Sequence, residues 1–156
     1  MGMKVNKDLM TWALRIYPPL FFQRIWVRRI LPGYRGIDVK VHYSILNRNS
    51  NGSIFGGTIF SATDPLYALL LDHIMRSRGM DVIVWLKSAK IRYIIPARSA
   101  LFISIRIKEE TIQEAMASLH SSGKYVETFT IELVDRSGEV CAVAENEVYI
   151  KKKLPQ

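Results

Sequence analysis

Thr-Ile-Phe-Ser-Ala-Thr-Asp-Pro-Leu-Tyr-Ala-Leu-Leu-Leu-Asp-His-Ile-Met-Arg-Ser-Arg, residues 58–78, carries apolar side chains on almost every side of the helix it predicts. Ile59, Phe60, Ala62, Leu66, Ala68, Leu69, Leu70, Leu71, Ile74 and Met75 leave it no broad polar face. Such a helix has to be surrounded by protein, and in a single domain the surrounding layer is a sheet curled about it. Strand patterns stand on both sides. Before the helix, residues 37–45 alternate Ile37, Val39, Val41, Tyr43 and Ile45 with Asp38, Lys40, His42 and Ser44. After Gly79 come four strand-like runs, 82–95 ending at Pro96, 100–108, 125–135 and 139–149, the last two joined through Arg136-Ser137-Gly138. Between the second and third of these, Thr111-Ile112-Gln113-Glu114 fits a capping box that opens a short helix, closed near Gly123. One strand, a central helix and four more strands with few crossovers predict an α+β class with a mostly antiparallel sheet.

Residues 7–29 read as one or two helices interrupted at Pro18-Pro19, with Trp12, Ile16, Phe21, Phe22, Ile25 and Trp26 as their apolar surface. Residues 1–33 are therefore expected to form a helical extension, and 34–153 the main domain. Arg24, Arg28 and Arg29 flank the aromatics, the pattern of an interfacial membrane helix. Docking on the sheet is the preferred expectation, because the prolines shorten each segment.

Upstream of the central helix lies Asn49-Ser50-Asn51-Gly52-Ser53-Ile54-Phe55-Gly56-Gly57. A glycine pair at a helix start leaves free amides with a partial positive charge and no side chains between them and a carbonyl oxygen. Asp64 follows Gly57 by seven residues, two turns along the same helix. Asp before Pro also fits a helix cap, with the helix starting at Pro65. The glycines equally fit a tight turn or close packing, and Asn49 equally fits a residue holding its own loop.

These residues resemble the hot-dog-fold acyl-CoA thioesterases, whose motif runs roughly Asn-x-x-Gly-Thr-x-His-Gly-Gly before an apolar stretch with a catalytic Asp or Glu. Asn49, Gly52, Ser53, Gly56, Gly57 and Asp64 fall on that pattern. The likeness extends to a branch of largely uncharacterised bacterial hot-dog proteins through Tyr17-Pro18-Pro19, Asn47-Arg48-Asn49, Phe55-Gly56-Gly57, Asp64-Pro65-Leu66-Tyr67, Val84-Trp85-Leu86-Lys87 and Tyr149-Ile150-Lys151-Lys152. Two positions depart from it: Phe55 stands where many thioesterases have His, and Leu86 where this branch has Asp. The resemblance implies a helix that begins near Gly57 and is only kinked at Pro65. It implies Asp64 as catalytic carboxylate, the Gly57 amide as oxyanion donor and Asn49 beside the substrate carbonyl or the attacking water. It further implies a homodimer or dimer of dimers with the substrate tunnel between protomers. Phe55, Gly56, Phe60, Lys87, Lys90 and Arg92 are the candidate substrate-binding residues, the three cations for coenzyme A, although with Arg98 they equally fit a solvated strand face. Phe60 and Tyr67 suit an apolar pocket or the core.

Nearly half of the 156 residues are apolar, enough for a core without disulfides or metals. Cys141 is the only cysteine, which excludes a disulfide framework and any paired-cysteine motif and fits a reducing cytoplasm. His42, His73 and His120 lack metal-ligand spacing, so no metal is expected, and no cofactor beyond coenzyme A as part of the substrate. The net charge of +8 suits an anionic partner. Its scattering over Arg24, Arg28, Arg29, Arg35, Lys87, Lys90, Arg92 and Arg98 argues against nucleic acid. No Gly-x-Ser-x-Gly motif is present, and no His is tied to a nucleophile. The resemblance implies thioester hydrolysis by a carboxylate and an oxyanion site. A non-catalytic acyl-CoA or fatty-acyl binder of the same fold is the alternative.

Overall fold

A computed structural model describes residues 6–153 of the chain. The missing amides of Pro18 and Pro19 divide the N-terminal segment into α1, Lys7–Ile16, and α2, Pro18–Phe21. Asn6 caps α1 by accepting the Asp8 amide at 2.9 Å. The helical reading of residues 7–29 fails beyond this point. Arg24 takes a φ of 61° and turns the chain, and Ile25–Ile30 runs as a strand, β1. Ile25, Val27 and Ile30 enter the core while Arg28 and Arg29 stay exposed, an alternation broken by a bulge between Val27 and Arg29 and disguised as a helical face by the aromatic and basic side chains. The sheet therefore begins inside residues 1–33.

A single turn at Pro32–Tyr34 returns β1 to β2, Gly36–Val41. This strand stops short of the expected Ile45, because Ile45 and Leu46 have no apolar layer to meet and lie 80% and 67% exposed. The remaining elements follow the predicted order: α3, Gly56–Ser61; α4, Asp64–Ser77; β3, Val82–Tyr93; β4, Leu101–Arg106; α5, Glu109–Ser121; β5, Lys124–Val134; β6, Val140–Lys152.

The six strands form one antiparallel sheet in the order β1-β2-β4-β5-β6-β3. Its two halves touch lightly: β4 pairs with β5 only at Phe102 opposite Val134. Against the sheet lies α4, in contact with β2, β3 and β6. This is the hot-dog fold. Leu66, Leu70, Leu71, Ile74 and Met75 of α4 are buried, and Ala142 and Ala144 of β6 are small enough to let the helix come close. The opposite side of α4 is not wrapped. Ala68, Leu69 and Asp72 are only half-buried, so the expectation of a helix enclosed all round holds for one side of it.

One local reading changes, and the expected β5–β6 hairpin is present. α5 begins two residues before the predicted capping box and has no side-chain cap; its Glu109 carboxylate instead bonds Arg35, Gln113 and Arg78. The β5–β6 turn is held by Asp135 Oδ1, which accepts the Ser137 amide at 2.8 Å and the Glu139 amide at 3.1 Å.

Candidate functional site

Pro65 has no N–H to continue the ladder of α3, and the expected kink is a full break: Ala62 and Thr63 separate α3 from α4. The carbonyl of Thr63 is taken up by a side chain from the sheet, Asn146 Nδ2 at 2.9 Å. Asp64 is the first residue of α4, yet it does not cap it; Thr63 occupies the cap position, and no side chain bonds the first amides. The Asp64 carboxylate is exposed and makes no hydrogen bond or ion pair among the described residues.

At the other end of α3 the amides of Gly56 and Gly57 precede the first intrahelical bonds, which Thr58 and Ile59 donate to the Phe55 carbonyl at 3.0 and 3.2 Å. The reason for glycine here is close approach. A Cβ on Gly57 would sit 2.4 Å from Cε1 of Phe55, and one on Gly56 would sit 3.1 Å from the Tyr93 ring. Tyr93 also donates its hydroxyl to the Gly56 carbonyl at 2.9 Å, and burial pushes that phenol above its ordinary pKa. Phe55 thus lays an exposed ring over Gly57.

Asn49 is occupied by its own loop. Its Oδ1 accepts the amides of Asn51 at 3.0 Å and Ser53 at 3.1 Å, and its Nδ2 meets the Ser53 hydroxyl at 2.9 Å. Asn47, quoted above only as part of a motif, is a buried joint. Asn47 Nδ2 donates to the carbonyls of Gln23 and His42, Oδ1 accepts the Ser44 amide, and the Asn47 carbonyl accepts the Phe55 amide at 2.7 Å. Asn146 was missed, although a period-two reading finds it: it interrupts the inward series Ala142, Ala144, Val148, Ile150.

Two clefts flank α3. One, of about 300 Å³, has Asn49, Ser53, Gly56, Ile59 and Tyr93 in its wall. The other, of about 310 Å³, has Asp64, Phe60 and Ser61 on one side and Tyr17, Pro19 and Leu20 on the other. Asn49 and Gly56 therefore share one cleft and Asp64 and Phe60 the other. Lys87, Lys90 and Arg92 join neither. Ile91 packs against the core, so Lys90 and Arg92, one residue to either side on β3, face away from α4, and Lys87 is paired with Glu147 at 2.9 Å. Tyr67, the other pocket candidate, is core, stacked on Phe129 with ring centroids 4.1 Å apart. Among the described residues no group of three or more His, Cys, Asp or Glu side chains could hold a metal. No helix there is long and apolar enough to cross a membrane.

The family model described as a domain of unknown function, DUF4442, matches residues 6–150. The chain belongs to the DUF4442 family. No curated protein matches it. Among solved structures, this DUF4442 chain is similar to PA5026 of Pseudomonas aeruginosa, a protein of unknown function, with 17% identity, 96% and 97% of the two chains covered and a TM-score of 0.84. It is also similar to thioesterase HI1161 of Haemophilus influenzae, with 10% identity, 97% and 94% covered and a TM-score of 0.70. A third is zebra fish thioesterase superfamily member 2, with 13% identity, 95% and 98% covered and a TM-score of 0.61. At such identities the likeness establishes the fold.

Proposed function

We propose that this DUF4442 protein hydrolyses acyl thioesters, with coenzyme A as the carrier. The observation that carries the reading is the unpaired, exposed Asp64 carboxylate. It stands seven residues after the Gly57 amide, across the break at Ala62 and Thr63, and opens into the cleft that Phe60 also walls. A thioester carbonyl has weak resonance stabilisation, so one carboxylate and one oxyanion donor suffice. Asp64 activates water or attacks the carbonyl carbon itself, and the Gly57 amide takes the charge that builds on oxygen. Phe60 in the same cleft contacts the acyl chain. Two of the similar structures are thioesterases by name, which supports the same chemistry here.

The reading includes a homodimer or dimer of dimers. β3 is a twelve-residue strand at the edge of the sheet, with Ile83 and Trp85 exposed along it. A long edge strand leaves a row of backbone N–H and C=O groups for a partner strand. A second copy paired there gives Lys87, Lys90 and Arg92 their role, as cations reached by a coenzyme bound between subunits.

The alternative, an acyl-CoA or fatty-acyl binder without turnover, rests on one observation: the Phe55 ring lies over Gly57. One experiment separates the two. Purified protein is assayed for release of free thiol from short, medium, long and aromatic acyl-CoAs, with Asp64→Asn beside it. Hydrolysis that disappears in the variant supports the enzyme; binding of acyl-CoA without any release supports the binder.

A further inference from the structure

The outward face of α1 is apolar. Leu9, Trp12, Ala13 and Ile16 follow helical spacing and are all exposed, Leu9, Trp12 and Ile16 at 65%, 58% and 70%. The helix is nonetheless firmly docked. Arg15 donates to the carbonyls of Val27 at 2.8 Å and Arg28 at 2.9 Å, and its guanidinium lies between the rings of Trp12 and Trp26, 4.6 and 4.9 Å from their centroids. The stripe is therefore left over after docking, and it is fixed in place.

Trp26 leads from this stripe into a cleft of about 500 Å³ beside β1 and β2, walled by Phe21, Arg24, Arg28, Lys40 and His42. Arg29 is neutralised by Asp38, but Arg24, Arg28 and Lys40 have no carboxylate partner among the described residues. His42 registers the local field: burial, with Lys40 and Arg24 nearby, holds its imidazole below the ordinary pKa. Phe22, 68% exposed and edge-on to Phe21 at 5.5 Å, extends the aromatic rim. Apolar stripe, aromatic rim and uncompensated cations form one continuous surface.

We infer that this surface docks the protein on an anionic lipid bilayer, with the Trp12–Ile16 stripe in the interfacial layer and Arg24, Arg28 and Lys40 on lipid phosphates. Charge decides the occupant. A second copy would set these cations against themselves in a chain of net charge +8, whereas an anionic leaflet meets them and accepts Trp and Tyr rings at headgroup depth. The same segment supplies Tyr17, Pro19 and Leu20 to the wall of the Asp64 cleft, so docking brings that cleft to the bilayer. The inference stands apart from the catalytic reading.

Flotation of the full chain with vesicles of phosphatidylcholine, alone or mixed with phosphatidylglycerol, tests it. Binding is expected to the mixed vesicles, weakened by salt and lost in Trp12→Ser/Ile16→Ser. Arg28→Glu and Lys40→Glu each weaken it by at least fivefold, about the factor one cation contributes at an anionic surface. Lys108→Glu, the same charge change at an exposed site distant in sequence, leaves it within twofold, and Asp64→Asn binds as the parent does. Circular dichroism confirms that each variant is folded. The inference is overturned by absent binding, by equal binding to neutral vesicles, or by equal losses in Lys108→Glu and Arg28→Glu. It is equally overturned if Trp12→Ser/Ile16→Ser dissociates an oligomer in solution, which would assign the stripe to a second copy.

Discussion

Asn146 on β6 donates its Nδ2 hydrogen to the carbonyl of Thr63 at 2.9 Å, fastening the sheet to the break that precedes Asp64. The break exists because Pro65 cannot extend α3, and the bond ties β6 to the residue at the cap position of α4.

Asn146→Leu keeps the number of side-chain heavy atoms and removes this donor inside a site that is 0% exposed. A loss of about 1–3 kcal/mol in unfolding free energy is expected, toward the lower end because the unpartnered Oδ1 is removed too. Urea titration measures it. An unchanged midpoint would show that the Thr63 carbonyl finds another donor.

Asp64 is exposed and unbonded, so Asp64→Asn is expected to shift stability by no more than about 0.5 kcal/mol. Its thioesterase turnover is expected to fall by about 10²–10⁴. The kcat of the two proteins under saturating acyl-CoA decides; equal values remove Asp64 from the chemistry.

Gly57→Ala places a Cβ 2.4 Å from the Phe55 ring, so the variant alone is destabilised unless the ring swings away. In a Phe55→Ala background that clash is gone, and the better helix former gains up to about 1 kcal/mol. A double-mutant cycle by thermal melting reads the coupling, and additive effects would mean that Phe55 moves freely. Phe55→Ala by itself uncovers the Gly57 amide. If that amide binds the thioester oxygen, kcat/KM rises.

Asp38 ties β1 to β4. Burial pushes its pKa up, but hydrogen bonds from Arg106, Arg29 and Ser104 outweigh burial and lower it from 3.8 to about 2. A carboxylate with a depressed folded-state pKa stabilises the fold above its unfolded value, and that contribution fades as pH falls through the folded one. The acid limb of stability between about pH 4 and pH 2 should therefore be shallower in Asp38→Asn than in the parent. Parallel limbs in pH-resolved denaturation would assign acid sensitivity to other carboxylates.

Much of the architecture was legible because period-two burial and an apolar helix are local signals. The central helix and four of the strands lie close to where those patterns put them. β1 was not, since Trp26, Arg28 and Arg29 mimic a helical face until pairing with β2 shows which residues point inward. Of the site, the glycine pair and Asp64 could be singled out, but not what covers them. The rings of Phe55 and Tyr93 reach the glycines through a rotamer and a long-range contact that spacing does not encode. Lys90 and Arg92 were grouped with the site by charge alone, and strand alternation places them on the far side of the sheet.

The lone match of Phe102 with Val134 makes the sheet two leaves stitched at one point, β1-β2-β4 and β5-β6-β3, with α4 as the spine between them. Bending at that seam would leave both ladders zipped. Space for a long chain along the spine is then gained by bending at the seam, and amide exchange should be faster there than within either leaf.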